Sequence, residues 1–161
     1  MRYMPIAGTL GYILSEDGKR VLMVHRTREK DDQLGKYNGL GGKMAAGEDV
    51  ASCMIREIRE EAGIEVKAMQ LRGTINWTNF GPKGEDWLGF VFLVTAFDGT
   101  PRERSEEGPL AWVELERLDE LPMWEGDRHF LPMVFDGDPR PFHGFMPYER
   151  DKAKGWTFVR M

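Results

Sequence analysis

The segment from Asp49 to Ala62 restricts the possible folds of this chain more than any other. Its apolar residues recur at helical spacing, which predicts an amphipathic helix with one face in a core; they are Ala51, Met54, Ile55, Ile58 and Ala62. Asp49 can accept hydrogen bonds from the first free amides, and Gly63 can take the left-handed conformation that ends a helix. A single helix cannot bury such a face alone, so the rest of the chain must supply a packing surface.

Runs rich in Leu, Val, Ile and aromatic residues surround this helix and predict that the packing surface is a sheet. The first two predicted strands, Ile6 to Leu14 and Arg20 to Arg26, are separated by the turn signal Glu16-Asp17-Gly18. Three more strands, a short helix and a final hairpin are predicted at Gln70 to Trp77, Trp87 to Phe97, Leu110 to Glu114, Asp127 to Phe135, and Phe142 to Tyr148 with Gly155 to Val159. We therefore expect an α+β fold in which residues 1–161 form a single domain.

Charge and cysteine content disfavour several functions. The chain has 22 Lys plus Arg against 27 Asp plus Glu, a net charge of -5, so its surface as a whole repels nucleic-acid polymers. The single cysteine, Cys53, permits no intramolecular disulfide, which indicates a reducing compartment. The apolar stretch from Pro5 to Leu14 contains two glycines and suits neither a signal peptide nor a membrane span. We expect a cytoplasmic protein without a membrane or nucleic-acid polymer as partner.

Three carboxylates share the face of the predicted helix opposite its apolar stripe. Glu57, Glu60 and Glu61 stand at positions i, i+3 and i+4, where like charges repel each other. An acidic helix face is most often simply solvated, here with Arg56 and Arg59 as a partial balance. The alternative is a site for a hard divalent cation, because Mg²⁺ and Mn²⁺ prefer carboxylate oxygens and bridge to phosphate oxygens. The flanking sequence decides between the two.

The flank is a glycine-rich run from Gly39 to Lys43 followed by Gly47-Glu48, which we expect to form a loop where backbone atoms approach a metal or phosphate. Loop and helix together fit the pattern G-x5-E-x7-R-E-U-x-E-E-x-G-U, with U aliphatic, through Gly42, Glu48, Arg56, Glu57, Ile58, Glu60, Glu61, Gly63 and Ile64. This string resembles the Nudix box at every defined position.

The resemblance implies a Nudix fold, which is a mixed β-sheet sandwiched between α-helices, and a metal-dependent pyrophosphohydrolase. Within the box, Arg56 would orient the carboxylates and Glu48 would close the loop. Water would be the nucleophile, with a nearby carboxylate accepting its proton. The implied cofactor is Mg²⁺, for which Mn²⁺ can substitute, and the implied ligands are Glu57, Glu60, Glu61 and a carbonyl of the Gly41-Gly42 region.

Further segments are similar to the MutT-type 8-oxo-dGTP diphosphatases, in the subgroup shared by animals and many bacteria. The resemblance implies that Asn38, Trp124 and Asp127 contact the purine, and an indole, an amide and a carboxyl suit stacking and hydrogen bonding to a base. For Trp124 the alternative is a structural role as a core anchor. The similar segments are Lys36 to Gly39, Glu106 to Gly108 ahead of Trp112, Met123 to Asp127, and Phe142 to Phe145.

Other positions in these segments leave alternatives open. Glu107 matches an additional metal-binding or base carboxylate, with the neighbouring Glu106 as the alternative. Arg26 could reach the phosphates or sugar, or lie on the surface. The animal enzymes have two adjacent aspartates where this chain has Gly126-Asp127, so its base selectivity could differ.

The sequence thus predicts hydrolysis of a nucleoside triphosphate, preferentially an oxidised purine such as 8-oxo-dGTP, to the monophosphate and pyrophosphate. That reaction would serve nucleotide-pool sanitation and DNA repair. One alternative is a Nudix hydrolase for ADP-ribose or dinucleoside polyphosphates. Another is a nucleotide-binding module without turnover, against which the intact glutamate set argues. The expected partner is a small-molecule nucleotide, and the chain would be a monomer or homodimer.

Overall fold

A mixed β-sheet forms the centre of the molecule in a computed structural model that describes residues 1–28 and 34–161. Within these described residues, the sheet is accompanied by two α-helices, α1 (Val50–Ala62) and α2 (Asp127–Phe135), and by a short 3-10 helix (Leu115–Glu120). The strands are β1 (Ile6–Leu14), β2 (Arg20–His25), β3 (Tyr37–Asn38), β4 (Leu40–Lys43), β5 (Glu65–Phe80), β6 (Glu85–Asp98), β7 (Arg104–Ser105), β8 (Gly108–Glu114), β9 (Phe142–Glu149), β10 (Lys152–Ala153) and β11 (Thr157–Arg160).

Strand pairing in the sheet is both parallel and antiparallel. β1 runs parallel to β6 and antiparallel to β2 and β4. β5 runs antiparallel to β6 and parallel to β9, which also pairs with β11. In the described residues the order is β10-β9-β5-β6-β1-β2-β8-β7, with β11, β3 and β4 attached to β9, β2 and β1. The predicted hairpin at the end of the chain is confirmed, because β9 and β11 are antiparallel neighbours.

The helices cover opposite faces of the sheet. Successive side chains of a strand point to opposite faces, so Tyr12 and Ile13 enter different cores. Ile13 packs with Met54 and Ile58 of α1, whereas Tyr12 packs with Phe130 of α2. The predicted fold class, α+β with a mixed sheet between helices, is confirmed.

Both ends of α1 lie where the sequence predicts them. The Asp49 carboxylate accepts a hydrogen bond from the Ser52 amide at 2.8 Å. Gly63 has a φ of 71° and donates its amide hydrogen to the Arg59 carbonyl at 2.9 Å. These caps fix the start and the end of the helix that carries the glutamates.

Some predicted boundaries are wrong. Residues 40–43, predicted as loop, form β4, because their backbone pairs with β1 from Gly8 to Gly11. The second strand ends at His25 rather than Arg26, and the last strand occupies Thr157–Arg160 rather than residues 155–159. β5 extends five residues before Gln70, since β6 offers a pairing partner as far as Asp98. No helix in the described part of the chain is long and apolar enough to cross a membrane.

Candidate active site

Arg56 connects the glycine-rich flank to the acidic face of α1. Its guanidinium donates to both carboxylate oxygens of Glu48 at 2.8 and 3.0 Å, and Glu48 also accepts from the Ala45 amide at 2.7 Å. These hydrogen bonds, that from Arg56 above all, lower the pKa of Glu48 to about 2. The third guanidinium nitrogen of Arg56, Nη1, donates to Glu57 at 2.9 Å and Glu60 at 3.2 Å. The predicted orienting arginine therefore contacts two of the predicted metal ligands.

Glu61 is half-buried and reaches from α1 to β4. Its carboxylate accepts a hydrogen bond from the Gly41 amide of β4 at 3.2 Å. The pKa of Glu61 is raised to about 8, first by burial and then by the nearby charges of Glu57 and Glu107, against the lowering effects of the Gly41 hydrogen bond and Arg26. Several acidic groups are thus concentrated around this side chain.

Glu107, from the turn between β7 and β8, lies in one groove with Glu57, Glu60 and Glu61. The groove has a volume of about 610 Å³ and is lined by Glu57, Glu60, Glu61, Arg102, Arg104, Ser105, Glu106 and Glu107. Glu107 forms an ion pair with Arg26 at 3.2 Å, whereas Glu106 is exposed. Of these two adjacent residues, Glu107 is the one whose charge acts on Glu61.

The chemistry of this groove fits a divalent cation. In the described part of the chain, no three acidic, His or Cys side chains are oriented to hold one ion, because Arg56 engages Glu57 and Glu60 while Gly41 engages Glu61. Burial and, after it, the neighbouring carboxylates raise the pKa of Glu61, and a bound cation would favour its ionised form and offset the repulsion between the carboxylates. Oxygen donors at this density are what Mg²⁺ and Mn²⁺ prefer.

A cleft of about 190 Å³ lies beside the carboxylate groove. It brings together all the predicted substrate residues: Arg26, just after β2, Asn38 on β3, and Trp124 and Asp127 at the start of α2. The two glycines of β4, Gly41 and Gly42, lie between the cleft and the groove. Both line the cleft, the Gly41 amide donates to Glu61, and the Cα of Gly42 faces the Glu57 carboxylate, from which an added Cβ would be 2.6 Å away. The sequence prediction missed four apolar residues that also line this cleft, Leu10, Trp77, Phe80 and Trp87. Leu10, Trp77 and Trp87 lay within predicted strands and Phe80 beyond the end of one, but the sequence did not show that these four side chains meet at one cleft.

Trp124 serves the core as well as the cleft. Only 5% of this residue is exposed, and its ring lies 4.6 Å from Phe80 and 5.9 Å from Tyr148 between centroids. The Lys36 ammonium lies 4.6 Å above the Trp124 ring, a cation–π distance. Most of the Trp124 surface is therefore packed in the core, as the alternative of a core anchor predicts. The residue nevertheless lines the cleft as well.

Asp127 is a buried acid at the start of α2. Burial raises its pKa from an ordinary 3.8 to about 7, with only a small opposing effect from Arg128. Its charge in turn raises the pKa of Tyr12, after the larger effect of burial. The carboxyl can therefore exist protonated, as a donor, or ionised, as an acceptor, near neutral pH.

The raised pKa of Asp127 predicts a pH-dependent penalty on folding. Between pH 4 and 7 the folded chain keeps a proton that the unfolded chain has lost, so stability falls as pH rises; above about 7 the loss is complete. A tenfold change in the acid dissociation constant corresponds to about 1.4 kcal/mol, and relaxation around the charged carboxylate reduces the total cost of ionising Asp127. We therefore expect Asp127→Asn to be more stable than the parent by on the order of 2 kcal/mol at pH 8. The two proteins should differ far less at pH 4.5. Urea unfolding at both pH values tests this, and a constant difference would contradict it.

Gly42 leaves no room for a side chain beside Glu57. An added Cβ would lie 2.6 Å from the Glu57 carboxylate, which can turn away, whereas a Cβ on Gly41 would lie 1.9 Å from the Thr9 carbonyl oxygen in the backbone of β1. We expect Gly42→Ala to lower the hydrolysis rate about tenfold or more by displacing Glu57, with stability changed by less than about 1 kcal/mol. Gly41→Ala should instead unfold the strand pair. Steady-state rates and denaturant midpoints separate these outcomes, and an unchanged rate in Gly42→Ala would contradict the prediction.

Comparison with known proteins identifies the class to which this site belongs. A family model described as NUDIX domain matches residues 4–134. A Nudix hydrolase of Bacillus subtilis strain 168, YvcI, is 34% identical over 140 residues, which cover 84% of this chain and 83% of that protein. The chain therefore belongs to the Nudix family.

Two further relatives are similar to the chain over most of its length. The oxidized purine nucleoside triphosphate hydrolase of Danio rerio is 28% identical over 115 residues, 71% of each protein. The crystal structure of the MutT protein from Bacillus halodurans superposes with a TM-score of 0.82 at 28% identity, covering 95% of this chain and 97% of that one. These similarities support the resemblance of the chain to the MutT-type subgroup.

Proposed function

We propose that this Nudix hydrolase is a Mg²⁺-dependent nucleoside triphosphate pyrophosphohydrolase that prefers an oxidised purine such as 8-oxo-dGTP. The products are the monophosphate and pyrophosphate. The observation that carries the proposal is the junction of the aromatic cleft with the carboxylate groove at Gly41, Gly42 and Arg26. A nucleotide has the same two parts, a flat base and an anionic phosphate chain.

The residues of the groove have distinct roles in this proposal. Glu57, Glu60, Glu61 and Glu107 would hold the cation, with the Gly42 carbonyl as an additional oxygen donor. A divalent cation supplies charge that neutralises the phosphate chain and makes a water molecule more acidic. Arg56 orients Glu57 and Glu60 through the hydrogen bonds described above, and Arg26, beside Glu107, contributes positive charge on the path from base to phosphates.

The residues of the cleft would select the base. Asn38 and Asp127 are both only 9% exposed, so a base that reaches them is shielded from water. Its hydrogen bonds to these residues then discriminate strongly between different bases. Asp127 can offer either a proton or a lone pair near neutral pH, which suits a purine with an altered donor pattern. Phe80, Trp77 and Trp87 provide apolar surface for the ring. The Danio rerio relative is named for oxidised purine nucleoside triphosphates, which favours this class of substrate.

A substrate panel tests the proposal. The panel contains 8-oxo-dGTP, dGTP, other oxidised or deaminated triphosphates, ADP-ribose and a dinucleoside polyphosphate, each with Mg²⁺ and with chelator. We expect the highest kcat/KM for an oxidised purine triphosphate, and no turnover with chelator. In heavy-oxygen water the label should enter pyrophosphate rather than the monophosphate, because we expect water to attack the β-phosphorus. Much faster turnover of ADP-ribose than of every triphosphate would refute the substrate assignment.

A further inference from the structure

The Tyr148 hydroxyl, on β9, holds the turn that leads into α2. Tyr148 is 3% exposed, and its oxygen accepts a hydrogen bond from the buried Gly126 amide at 3.0 Å. Gly126 precedes the first residue of α2 and provides no side-chain cap, so Tyr148 satisfies an amide near the helix start that would otherwise lack a partner. The strand itself is fixed, because the Asn79 side chain donates to the Tyr148 carbonyl at 3.2 Å.

The fit between Tyr148 and Gly126 leaves no space for another side chain. A Cβ at Gly126 would lie 2.0 Å from the Met146 sulfur and 2.6 Å from the Tyr148 hydroxyl oxygen. The backbone there is ordinary, with a φ of -69°, so space rather than strain requires glycine. The hydroxyl therefore occupies the position towards which a side chain at residue 126 would point.

The turn held by Tyr148 carries two residues of the cleft. Trp124 and Asp127 both line the cleft, and the Asp127 amide donates to the Trp124 carbonyl at 3.0 Å to close the turn around Gly126. The Tyr148 ring also packs edge-on against Trp124, at 5.9 Å and 81°. The charge of Asp127 adds to burial in raising the pKa of Tyr148, as expected for a carboxyl close to the phenol. The Tyr148 side chain thus contacts both the backbone between Trp124 and Asp127 and the ring of Trp124.

We propose that Tyr148 is a positioning residue for base selectivity, acting through Gly126 on Trp124 and Asp127. This inference rests on the proposed function and deepens it, because it places control of purine recognition in the hairpin at the end of the chain. The hydroxyl contacts the turn between Trp124 and Asp127, two residues that line the cleft, and does not line the carboxylate groove. It therefore sets how well the base is bound and distinguished, and not how fast a bound substrate is hydrolysed.

The test compares Tyr148→Phe with Tyr3→Phe. The control also removes a phenol that accepts an amide hydrogen, but on the surface, where the Asn76 side chain donates to Tyr3 at 3.3 Å. For the best triphosphate of the panel, we expect Tyr148→Phe to raise KM roughly three- to tenfold, the effect of one buried hydrogen bond, with kcat nearly unchanged. The ratio of kcat/KM between oxidised and unmodified purine should fall. Tyr3→Phe should leave all three quantities unchanged.

A purely structural role gives a different result. Loss of folded protein lowers kcat per total chain and leaves KM and the selectivity ratio as in the parent, which would overturn the proposal. Hydrogen exchange of the Gly126 amide in the unliganded protein provides a readout independent of turnover, and we expect it to accelerate about tenfold in Tyr148→Phe alone. If the parent hydrolyses no nucleotide, the proposed function fails, whereas unchanged exchange at Gly126 overturns the positioning role itself.

Discussion

Glu61→Gln should lower the hydrolysis rate in Mg²⁺ by about three orders of magnitude, the size of effect expected when charge stabilisation of a transition state is removed. Glutamine keeps an oxygen that can accept the Gly41 hydrogen bond, so the local fold has no reason to change. It removes the negative charge that burial and Glu57 disfavour, since the pKa of Glu61 is raised to about 8. Without metal, the variant should be at least as stable as the parent.

The combined measurement distinguishes a metal ligand from a solvated acidic face. Thermal unfolding with and without Mg²⁺ should show stabilisation of the parent by the cation and a much smaller effect in Glu61→Gln, because only binding to the folded state shifts the midpoint. Glu116→Gln is the matched control, since Glu116 is exposed on the 3-10 helix outside the carboxylate groove. Equal rates for Glu61→Gln and the parent would refute both the metal site and catalysis by this groove.

Features encoded by neighbouring residues were predictable from the sequence. The helix α1, its caps and its three glutamates follow from spacing within 15 residues, from Asp49 to Gly63. Pairing that depends on distant residues was not predictable. Residues 40–43 were predicted as loop from their glycines, yet they form a strand because they pair with β1. This pairing places Gly41 and Gly42 beside Glu61 and Glu57.

The candidate site shows the same division. The family resemblance implied that Asn38, Trp124 and Asp127 contact the base, and these three residues line one cleft. The choice between Glu106 and Glu107 depends on a turn, and the burial of Trp124 depends on Phe80 and Tyr148, which lie far away in the sequence. Local patterns therefore identify candidate chemical groups, while their environment is set by the packing of distant strands.

Arg72 is the clearest case in which alternation along a strand misleads. In β5 the apolar Leu71 is 37% exposed while the adjacent Arg72 is only 2% exposed, next to a shift in the pairing register with β6. The guanidinium donates to the carbonyls of Met133 and Val134 at 3.1 Å and of Asp138 at 2.8 Å, and it pairs with Asp136 at 3.1 Å. A cation here satisfies the free carbonyls at the end of α2, whose first turn carries Asp127.

We expect Arg72→Met to lower the free energy of unfolding by about 3–5 kcal/mol, because it removes the buried donor to the Val134 and Asp138 carbonyls while roughly keeping the volume. Arg140→Met is the control: Arg140 also pairs with an aspartate of this loop, Asp138, at 2.7 Å, but at the surface, where a pair contributes about 1 kcal/mol or less. Arg72→Lys should lie between them, since an ammonium keeps the charge but not the fork of donors. Urea unfolding at low temperature measures all three. If Arg72→Met were no more costly than Arg140→Met, the buried guanidinium would not be what secures the end of α2, and that role would fall to Arg160, which donates to Asp136 at 2.9 Å and to the Met133 carbonyl at 3.4 Å.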